Sequence, residues 1–388
     1  MSRPIKIGFL CPFSTIYPRL GKDMMEGILT GIHSKLRPHF QLLPEFVHQG
    51  QPSAIKPALE KLIHFHDVDV VSGLVGYRAM AEFVPTIERA RKLALFADMG
   101  EYLPFLFHTS DYIFFNSFQY WQAEFALGNW AQGEFGGKGS IFMPVYDAGY
   151  HMHSAFRQGV LACENVAIEY AVMAPTDPAQ PMQLTGMIKE YLAKFEKERP
   201  GYLHVLFCGS EAQEFIQLYY DEGLHREVPL IVSPHMASYE ILEPFRHMEM
   251  SFYSASMWDY ATDDPHNNRF KLQYASHSGG MPTPFSLLGY EIGLALEMLY
   301  PSLKAGEYAV ARKLLKKEKI ISPRGERTFY LDSNYANPTI AIEKVILGGG
   351  QIRKMTIQEG KALPYNHFIY EEIHRENISG WLNAYLCV

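Results

Sequence analysis

Aromatic and acidic side chains follow an apolar run in the middle of the chain. Tyr146, Asp147 and Tyr150 come directly after GSIFMPV, which has the length and composition of a buried β-strand. Phenol and carboxylate groups beyond the carboxyl end of a strand can hydrogen-bond a small ligand, because open α/β sheets bind ligands at that edge. Packing of either tyrosine on the next helix is the alternative interpretation.

Two further loops carry polar groups after strand-like runs. The first, PFSTIYPRLG, supplies Ser14, Thr15 and Tyr17 as ligand contacts, or is an ordinary loop that caps the next helix. The second, GLVGYRAM, supplies Tyr77 and Arg78. A helix start and an arginine both attract anions, so this loop predicts an anion contact unless Arg78 points to solvent.

Three more stretches complete the set of candidates. ADMGEYLP supplies Met99 and Glu101, and Glu101 either holds an amine or hydroxyl of the ligand or is a solvated loop charge. Ser210 in CGSEA is a ligand contact or the N-cap of the following helix. His235 in SPHMAS and Trp258 in SASMWDY are the last two, with Trp258 as a stacking wall or as hinge packing.

The residue pattern predicts neither catalysis nor a metal or cofactor site. GxSxG and HExxH motifs do not occur, and no nucleophile has a sequence-evident base, so we predict that the protein is not an enzyme. The HxH pairs at 64–66 and 151–153 lack acidic or thiol partners at ligand spacing. Lys138 in FGGKGS does not belong to a phosphate loop, because Gln132 stands where the first glycine is required. That stretch predicts a helix-to-strand turn.

Strand-like and helix-like segments alternate along most of the chain, which predicts parallel strands joined by right-handed crossovers. One series ends near ADMG and a second begins after DYIFFNSFQY, so we predict an α/β fold with two doubly wound, Rossmann-like halves. AMAEFVPTIERARK is predicted as one helix, and DDPHNN, residues 263–268, as a solvated turn. The tail TIAIEKVILGGGQIRKMTI predicts strands with a reversal at GGG.

Composition and charge exclude several classes of protein. The 388 residues carry a formal charge of −7, which disfavours nucleic-acid binding because that function needs a basic surface. With 47% hydrophobic and 20% charged residues and no long apolar segment, the chain is not expected to be membrane-embedded. Four scattered cysteines are predicted to be reduced. The start lacks a leader pattern, which predicts a cytoplasmic protein as the chain is written, or a periplasmic one if a leader was removed.

Five segments resemble, in order, those of type I periplasmic solute-binding proteins of the branched-chain amino-acid class. They are IKIGFLCPFSTIYPRLGKDMMEGI, VDVVSGLVGYRAMAEFVPTIERARKLALFADMGEYLP, SIFMPVYDAGYHMHSAFRQGV, TPFSLLGYEIGLALEML and SPRGERTFYLDSNYANPTIAIEKV. The resemblance implies a Venus-flytrap fold, in which two α/β lobes joined by a three-crossing hinge enclose a ligand. It implies that lobe 1 comprises residues 1–117 and 254–328, and lobe 2 residues 118–253 and 329–388.

Two positions depart from the amino-acid-binding proteins that the chain resembles. Those proteins hold the ligand carboxylate with a small hydroxyl residue near Tyr77, and the ligand ammonium with an acidic residue close to His235. A tyrosine either shrinks the pocket or stacks on the ligand, and a neutral imidazole cannot replace the charge of the acid. The resemblance therefore implies a small polar or aromatic solute, amino-acid-like or amide-like, rather than a free α-amino acid.

Two functions follow from the resemblance. The first is a non-enzymatic substrate-binding protein that closes on a small-molecule ligand and presents it to the permease of an ABC transporter. The second is a cytoplasmic sensor of the same fold, similar to the amide-sensing regulator, which releases or recruits a protein partner when its ligand binds.

Overall fold

The first sheet is formed by the amino-terminal part of the chain. The computed structural model describes residues 3–14, 17–80, 82–104, 110–164, 166–175, 181–329 and 338–376. The strands of this sheet are β1 (Ile5–Cys11), β2 (Phe40–Phe46), β3 (Val70–Leu74), β4 (Leu93–Asp98) and β5 (Ile113–Ser117), and the helices between them are α1 (Leu20–Gly31), α2 (Pro52–Glu60), α3 (Tyr77–Met80) and α4 (Val84–Ala90). All strand pairs are parallel, in the order β2-β1-β3-β4-β5. Strands β3 to β5 are buried along their whole length, as expected for a parallel sheet covered on both faces.

The second sheet repeats this plan and adds two antiparallel strands. Its elements are α5 (Tyr120–Phe135), β6 (Gly139–Pro144), α6 (Met152–Cys163), β7 (Glu169–Met173), α7 (Pro181–Ala193), β8 (Tyr202–Val205), α8 (Gly209–Asp221), β9 (Leu230–Val232), α9 (Tyr239–Leu242) and β10 (Met250–Ser256). The chain then forms three helices and a hairpin: α10 (Pro265–Ser278), α11 (Pro284–Ala305), α12 (Tyr308–Lys317), and β11 (Ile320–Ser322) with β12 (Gly325–Arg327). The second sheet is completed by β13 (Ala341–Gly348) and β14 (Gln351–Glu359). The order is β14-β13-β10-β9-β8-β6-β7, and α13 (His367–Arg375) follows.

The chain passes between the two sheets three times. It leaves the first sheet after β5, returns after β10 to α10 and α11, which pack on α1, and enters the second sheet again between β12 and β13. The backbone N–H of Phe115 in β5 donates to the carbonyl of Phe329, so the third passage starts beside the first sheet. The two doubly wound halves and the three-crossing plan predicted from the sequence are confirmed.

Helices α1 and α11 run in the same direction with their backbones in contact. Gly27 and Gly31 of α1 face Gly289 and Gly293 of α11, and each of these glycines has a backbone carbonyl of the other helix where a side chain would begin. A Cβ atom on Gly27, for example, would lie 2.1 Å from the carbonyl oxygen of Ser286. Glycine is therefore required for this approach, which brings the amino ends of both helices to the same place.

Two predicted elements differ in the structure. The segment predicted as one helix at 79–92 contains the end of α3 and the separate helix α4, because Pro85 fits only the first turn of a helix. The predicted solvated turn at 263–268 is the start of α10. The carboxylate of Asp264 accepts the N–H groups of His266 and Asn267, at 2.8 and 3.1 Å, and Pro265 occupies the first turn.

Two glycine-rich turns agree with the sequence. Gly136 and Gly137 have φ angles of 62° and 70° and connect α5 to β6, as the helix-to-strand prediction required. Gly349 and Gly350 also have positive φ and reverse the chain between β13 and β14. These positions suit glycine because an L side chain rarely adopts such a backbone conformation.

The prediction that all four cysteines are reduced is wrong. Cys11 and Cys163 are free, but Cys208 is disulfide-bonded, and Cys387 lies outside the described residues. Wide spacing along the chain was a poor guide, since a disulfide depends on the distance between Cα atoms in space. Among the described helices, none combines the length and the apolar character that crossing a bilayer requires.

Candidate functional site

A cavity of about 790 Å³ lies where the two sheets face each other. From the first sheet it receives the loop after β1, the start of α1 and the residue that follows β4. The second sheet contributes the loop after β9 and the end of β10, and the start of α11 closes one side. The cavity thus lies beyond the carboxyl ends of parallel strands, where α/β folds bind ligands.

Aromatic side chains form much of the wall. Phe118 and Tyr120 come from the first passage between the sheets, and their rings meet edge to face at 5.5 Å. Tyr17 contacts Phe285 in the same manner, at 5.2 Å. Trp258 follows β10, and its indole N–H donates a hydrogen bond to Asn267 Oδ1. These rings offer flat apolar faces on several sides of the space.

The wall residue His235 is buried, and its protonation state follows from its contacts. Its Nε2 lies 2.8 Å from the carbonyl oxygen of Phe207, and a carbonyl can only accept, so Nε2 carries the hydrogen. Nδ1 is then a lone-pair acceptor, and it has no hydrogen-bond partner among the described residues. Burial lowers the pKa of His235 to about 4, so the ring is neutral at physiological pH.

Two carboxyl groups, those of Glu240 and Asp147, act electrostatically on Tyr17. Glu240 lines the cavity and has neither a hydrogen bond nor an ion pair within the described part of the chain. Asp147 is 1% exposed, and neither of its carboxylate oxygens has a partner within the same residues. The pKa of Tyr17 is raised by burial and by the negative charges of Glu240 and Asp147. Burial, with the charges of Glu211 and Glu124 nearby, raises the pKa of Asp147 well above its ordinary value.

The two cationic groups in the described wall each contact a side chain of the protein. The guanidinium of Arg19 pairs with Asp23, with Nη2 and Oδ1 3.1 Å apart. The ammonium of Lys354 lies 4.7 Å from the centre of the Tyr239 ring, in a cation–π contact. The described wall therefore presents more uncommitted acceptor groups than uncommitted cations.

The sequence-predicted site residues divide into two groups. Tyr17, Met99, His235 and Trp258 line the cavity. The structure places six others away from this wall: Ser14, Tyr77, Glu101, Tyr146, Tyr150 and Ser210. Thr15 and the side chain of Arg78 lie outside the described residues.

Most members of the second group have structural contacts. Ser14 Oγ accepts the N–H of Tyr17 at 2.9 Å and shapes the first loop. Tyr77 packs on Phe115 with ring centres 5.4 Å apart. The hydroxyl of Tyr146 donates to Glu211. The contact of Ser14 agrees with the alternative of an ordinary loop, whereas the contacts of Tyr77 with Phe115 and of Tyr146 with Glu211 were not predicted.

Glu101 and Tyr150 take part in a contact that joins the loop after β4 to the second sheet. The carbonyl of Glu101 accepts the N–H of His151 at 3.0 Å, and His151 Nδ1 accepts the N–H of Leu103 at 3.1 Å. Tyr150 packs edge to face on Tyr102 of this loop, at 5.2 Å. These residues therefore connect the two halves of the fold.

Ser210 differs from its predicted position. It is exposed and lies in the first turn of α8, whereas the N-cap is Cys208, which makes no side-chain capping bond. The alternative interpretation of Ser210 as an N-cap is therefore wrong. A residue two positions earlier has the extended backbone that a cap requires, which the spacing of CGSEA did not reveal.

Several wall residues were not identified from the sequence. Phe118 and Tyr120 belong to the first passage, and the segment that contains them was treated as a connection. Glu240 lies five residues after His235, on the short helix α9. Phe285 comes from the start of α11, far along the chain. Phe118 and Tyr120 follow β5, and Glu240 follows the loop after β9, whereas Phe285 follows no strand end.

Replacing Glu343 with glutamine is expected to change how stability depends on pH. Glu343 is 4% exposed on β13, and burial and Asp259 raise its pKa to about 7, against the opposing charge of Lys354. The folded state thus keeps a proton that the unfolded chain loses above its ordinary pKa, so this group costs stability as pH rises toward 7. We therefore expect the difference in unfolding free energy between Glu343→Gln and the wild type to change by about 2 kcal/mol from pH 5 to pH 8, in favour of the variant.

Thermal unfolding of both proteins across that range measures the difference. Glu359→Gln, an exposed position on the neighbouring strand β14, is the matched control and should differ from the wild type by a constant amount. A constant difference for Glu343→Gln as well would contradict the prediction.

The described residues contain no group of three or more histidine, cysteine, aspartate or glutamate side chains arranged to hold a metal ion. Ser233 Oγ lies 3.2 Å from Nε2 of the wall residue His235, but that nitrogen carries the hydrogen that it donates to the carbonyl of Phe207, so it cannot act as a base toward the hydroxyl. The chemistry that the arrangement supports is enclosure of a small molecule by apolar rings and a few polar groups.

Comparison with known proteins agrees with this geometry. Residues 4–346 match the periplasmic binding protein family model, whereas no curated protein sequence matches the chain. An ABC transporter substrate-binding protein from Sphaerobacter thermophilus is 20% identical, with a TM-score of 0.75 over 93% of this chain and 98% of that one. A solute binding protein of an ABC transporter from Rhodopseudomonas palustris, in complex with 3,4-dihydroxybenzoic acid, is 17% identical, with a TM-score of 0.71 over 94% and 99%.

A third solved structure comes from the amino-acid binders. The branched-chain amino acid transporter substrate binding protein LivJ from Streptococcus pneumoniae, in complex with isoleucine, is 15% identical, with a TM-score of 0.68 over 92% of this chain and 99% of that one. At these identities the structural likeness shows a shared fold. Because the family model covers nearly the whole chain, the protein belongs to the periplasmic binding protein family.

Proposed function

We propose that the protein binds a small solute with an aromatic or apolar body in the cavity between its two halves, and closes on it. The single observation that carries this proposal is the cavity of about 790 Å³, whose wall combines strand ends of both sheets with residues of the passages between them. A ligand that contacts both halves stabilises the closed arrangement. We take each sheet with its flanking helices as a moving lobe; the bounds 1–117 with 254–328 and 118–253 with 329–388 describe these lobes except at residues 254–256, which pair with β13 in the second sheet.

The solute is then passed to an ABC-transporter permease. Similar folds occur in substrate-binding proteins of such transporters, including one in complex with 3,4-dihydroxybenzoic acid and one in complex with isoleucine. Binding alone accounts for this role, so no catalytic group is needed. Tyr17, Met99, His235 and Trp258 are our candidates for ligand contact among the residues identified from the sequence.

A ligand screen combined with solution scattering tests the proposal. Thermal shift measurements with amino acids, amides, aromatic acids and aromatic amines should identify a solute that raises the melting temperature, because a ligand that binds only the folded state stabilises it. Small-angle scattering with that solute should show a smaller radius of gyration than without it. A tightly bound solute that leaves the radius of gyration unchanged would contradict lobe closure.

Replacing Trp258 with alanine should weaken binding of that solute by roughly tenfold to a hundredfold, as expected for a partly exposed aromatic side chain that the ligand covers. The indole N–H donates to Asn267 Oδ1 at 2.9 Å, which fixes the ring at the wall. Leu272→Ala, at a 73% exposed position on α10, is the matched control and should leave affinity unchanged. Isothermal titration measures both, and equal affinities for the two variants would remove Trp258 from the site.

A further inference from the structure

The polar groups of the cavity indicate the charge of the ligand. Three features matter: a buried acceptor on His235, carboxylates without ion pairs, and cations that are already engaged. Tyrosine hydroxyls both donate and accept, so they suit ligands of either charge. The charge of the ligand is therefore inferred from the groups that can only donate or only accept a hydrogen bond.

The Nδ1 atom of His235 can accept a hydrogen bond from a ligand. Its Nε2–H is committed to the carbonyl oxygen of Phe207 at 2.8 Å, which leaves Nδ1 as an acceptor in a side chain that is 5% exposed. The described residues provide no donor to this atom. A buried polar atom without a partner costs free energy, and a ligand N–H group that reaches it would recover that cost. A carboxylate ligand would instead meet a lone pair.

The charged residues of the wall favour a cation. The described wall contains four carboxylates, Asp23, Glu240, Glu243 and Asp259, against two cations, Arg19 and Lys354. Asp23 pairs with Arg19, and Glu243 pairs with Arg246, with Nη1 and Oε1 2.8 Å apart. Glu240 and Asp259 form no ion pair within the described residues.

A further carboxyl group lies behind the wall. Asp147 is buried, and neither of its oxygens has a partner among the described residues. Burial and the nearby charges of Glu211 and Glu124 raise its pKa well above the ordinary value, which favours the neutral form while no cation is near. A cationic ligand close to it would favour the ionised form instead, whereas an anionic ligand would gain nothing from it.

The aromatic wall also suits a cation. Phe118, Tyr120, Trp258 and Phe285 present ring faces or edges to the space, and the negative face of an aromatic ring attracts an ammonium or amidinium group. The same rings pack on the apolar body of the ligand. Charge, hydrogen bonding and apolar contact thus select one class of molecule.

We propose that the cavity takes an organic cation, with an ammonium or amidinium group on an aromatic or apolar body and no carboxylate. This inference rests on the proposed function, since it names the solute class for the same cavity. It differs from the aromatic acid and the amino acid found in complex with the structurally similar proteins.

Three probes that share one ring test the inference. They are 4-hydroxybenzylamine, 4-hydroxybenzyl alcohol and 4-hydroxybenzoate, which are cationic, neutral and anionic at pH 7. Isothermal titration with the full chain should give the tightest binding for the amine, at least about tenfold tighter than for the acid, a difference of about 1.4 kcal/mol. The neutral alcohol should lie between them.

Two variants assign the selectivity to this wall. Glu240→Gln removes an exposed charge without a large change of shape, and should weaken the amine about tenfold while leaving the alcohol unchanged. His235→Leu should weaken the amine and the alcohol, since both lose their acceptor. Melting temperatures show whether each variant is folded, and Glu359→Gln, at an exposed carboxylate that does not line the cavity, is the control.

The outcomes separate this inference from the proposed function. If the acid binds as tightly as the amine, the assignment of an organic cation is wrong, but the proposed solute-binding function stands. Loss of acid binding in Arg78→Gln would strengthen that conclusion. Amine binding that both wall variants leave intact would overturn it too. Failure of all three probes overturns the inference as well, and the wider solute screen with scattering then decides the proposed function separately.

Discussion

Replacing Arg324 with alanine is expected to lower the free energy of unfolding by about 3–5 kcal/mol, as loss of one partner of a buried ion pair does. Arg324 and Glu291 have side chains that are 2% and 0% exposed. The guanidinium contacts both carboxylate oxygens, with Nη2 2.5 Å from Oε2 and Nε 3.0 Å from Oε1. Without the arginine, Glu291 would remain as a buried charge.

The same group holds the first passage between the sheets. Arg324 Nη1 donates to the carbonyl of Ser117 at 3.2 Å, and its guanidinium carbon lies 4.3 Å from the centre of the Phe118 ring, which lines the cavity. Burial acts to raise the pKa of Glu291, but the charge and hydrogen bonds of Arg324 hold it below its ordinary value. This contribution to stability is present at neutral pH and is lost as pH falls through that lowered pKa.

Thermal or urea unfolding followed by circular dichroism measures the effect. Arg375→Ala is the matched control, because Arg375 pairs with Glu371 on the surface of α13 and is 77% exposed, so its loss should cost less than about 1 kcal/mol. Glu291→Ala should destabilise the protein as much as Arg324→Ala does. Equal small effects at the buried and the exposed pair would show that the buried pair contributes little.

Replacing Gly289 with alanine is expected to destabilise the protein by about 3 kcal/mol through overpacking. The added Cβ would lie 2.1 Å from the carbonyl oxygen of Met24, a backbone atom that can move only if α1 and α11 separate. Alanine is the better helix former, so the expected sign is opposite to that of intrinsic propensity. The prediction therefore distinguishes packing from propensity.

Gly186→Ala provides the comparison. Gly186 lies inside α7, where an added Cβ meets no atom within 4 Å, so alanine there should stabilise the protein by about 0.5–1 kcal/mol. Gly289→Ala should also weaken ligand binding, because α1 and α11 begin at the cavity with Leu20 and Phe285. Opposite shifts of melting temperature are expected, and a gain at both positions would refute the close-packing argument.

The order of strands and helices was accessible from local patterns. Apolar runs such as VVSGL and LALFAD are buried on both faces, and their composition together with their alternation with helix-like segments predicted parallel strands. Local chemistry also predicted the turns at Gly136 and at Gly349, where backbone conformation restricts the residue type. Two predicted elements were wrong because a second local signal was present. Pro85 favours the first turn of a new helix, and Asp264 is the N-cap of α10.

The candidate site was only partly accessible in this way. Strand ends predicted Tyr17, Met99, His235 and Trp258, and these four line the cavity. Tyr146 and Tyr150 also follow a strand end, but Tyr146 hydrogen-bonds Glu211 and Tyr150 packs on Tyr102. A strand end defines an edge of a sheet and not the direction of a side chain. The free Nδ1 of His235 depends on Phe207, which lies 28 residues earlier.

By itself the sequence determined the α/β class, the two doubly wound halves and the loops from which a site could be built, because hydrophobic period and turn chemistry act over a few neighbouring residues. The tertiary structure decided which loops share one cavity, which carboxylates lack a cation and which pairs are buried. Glu291 and Arg324 stand 33 residues apart, and Tyr17 and Phe285 far more. Such contacts depend on how the elements pack, which no local pattern records.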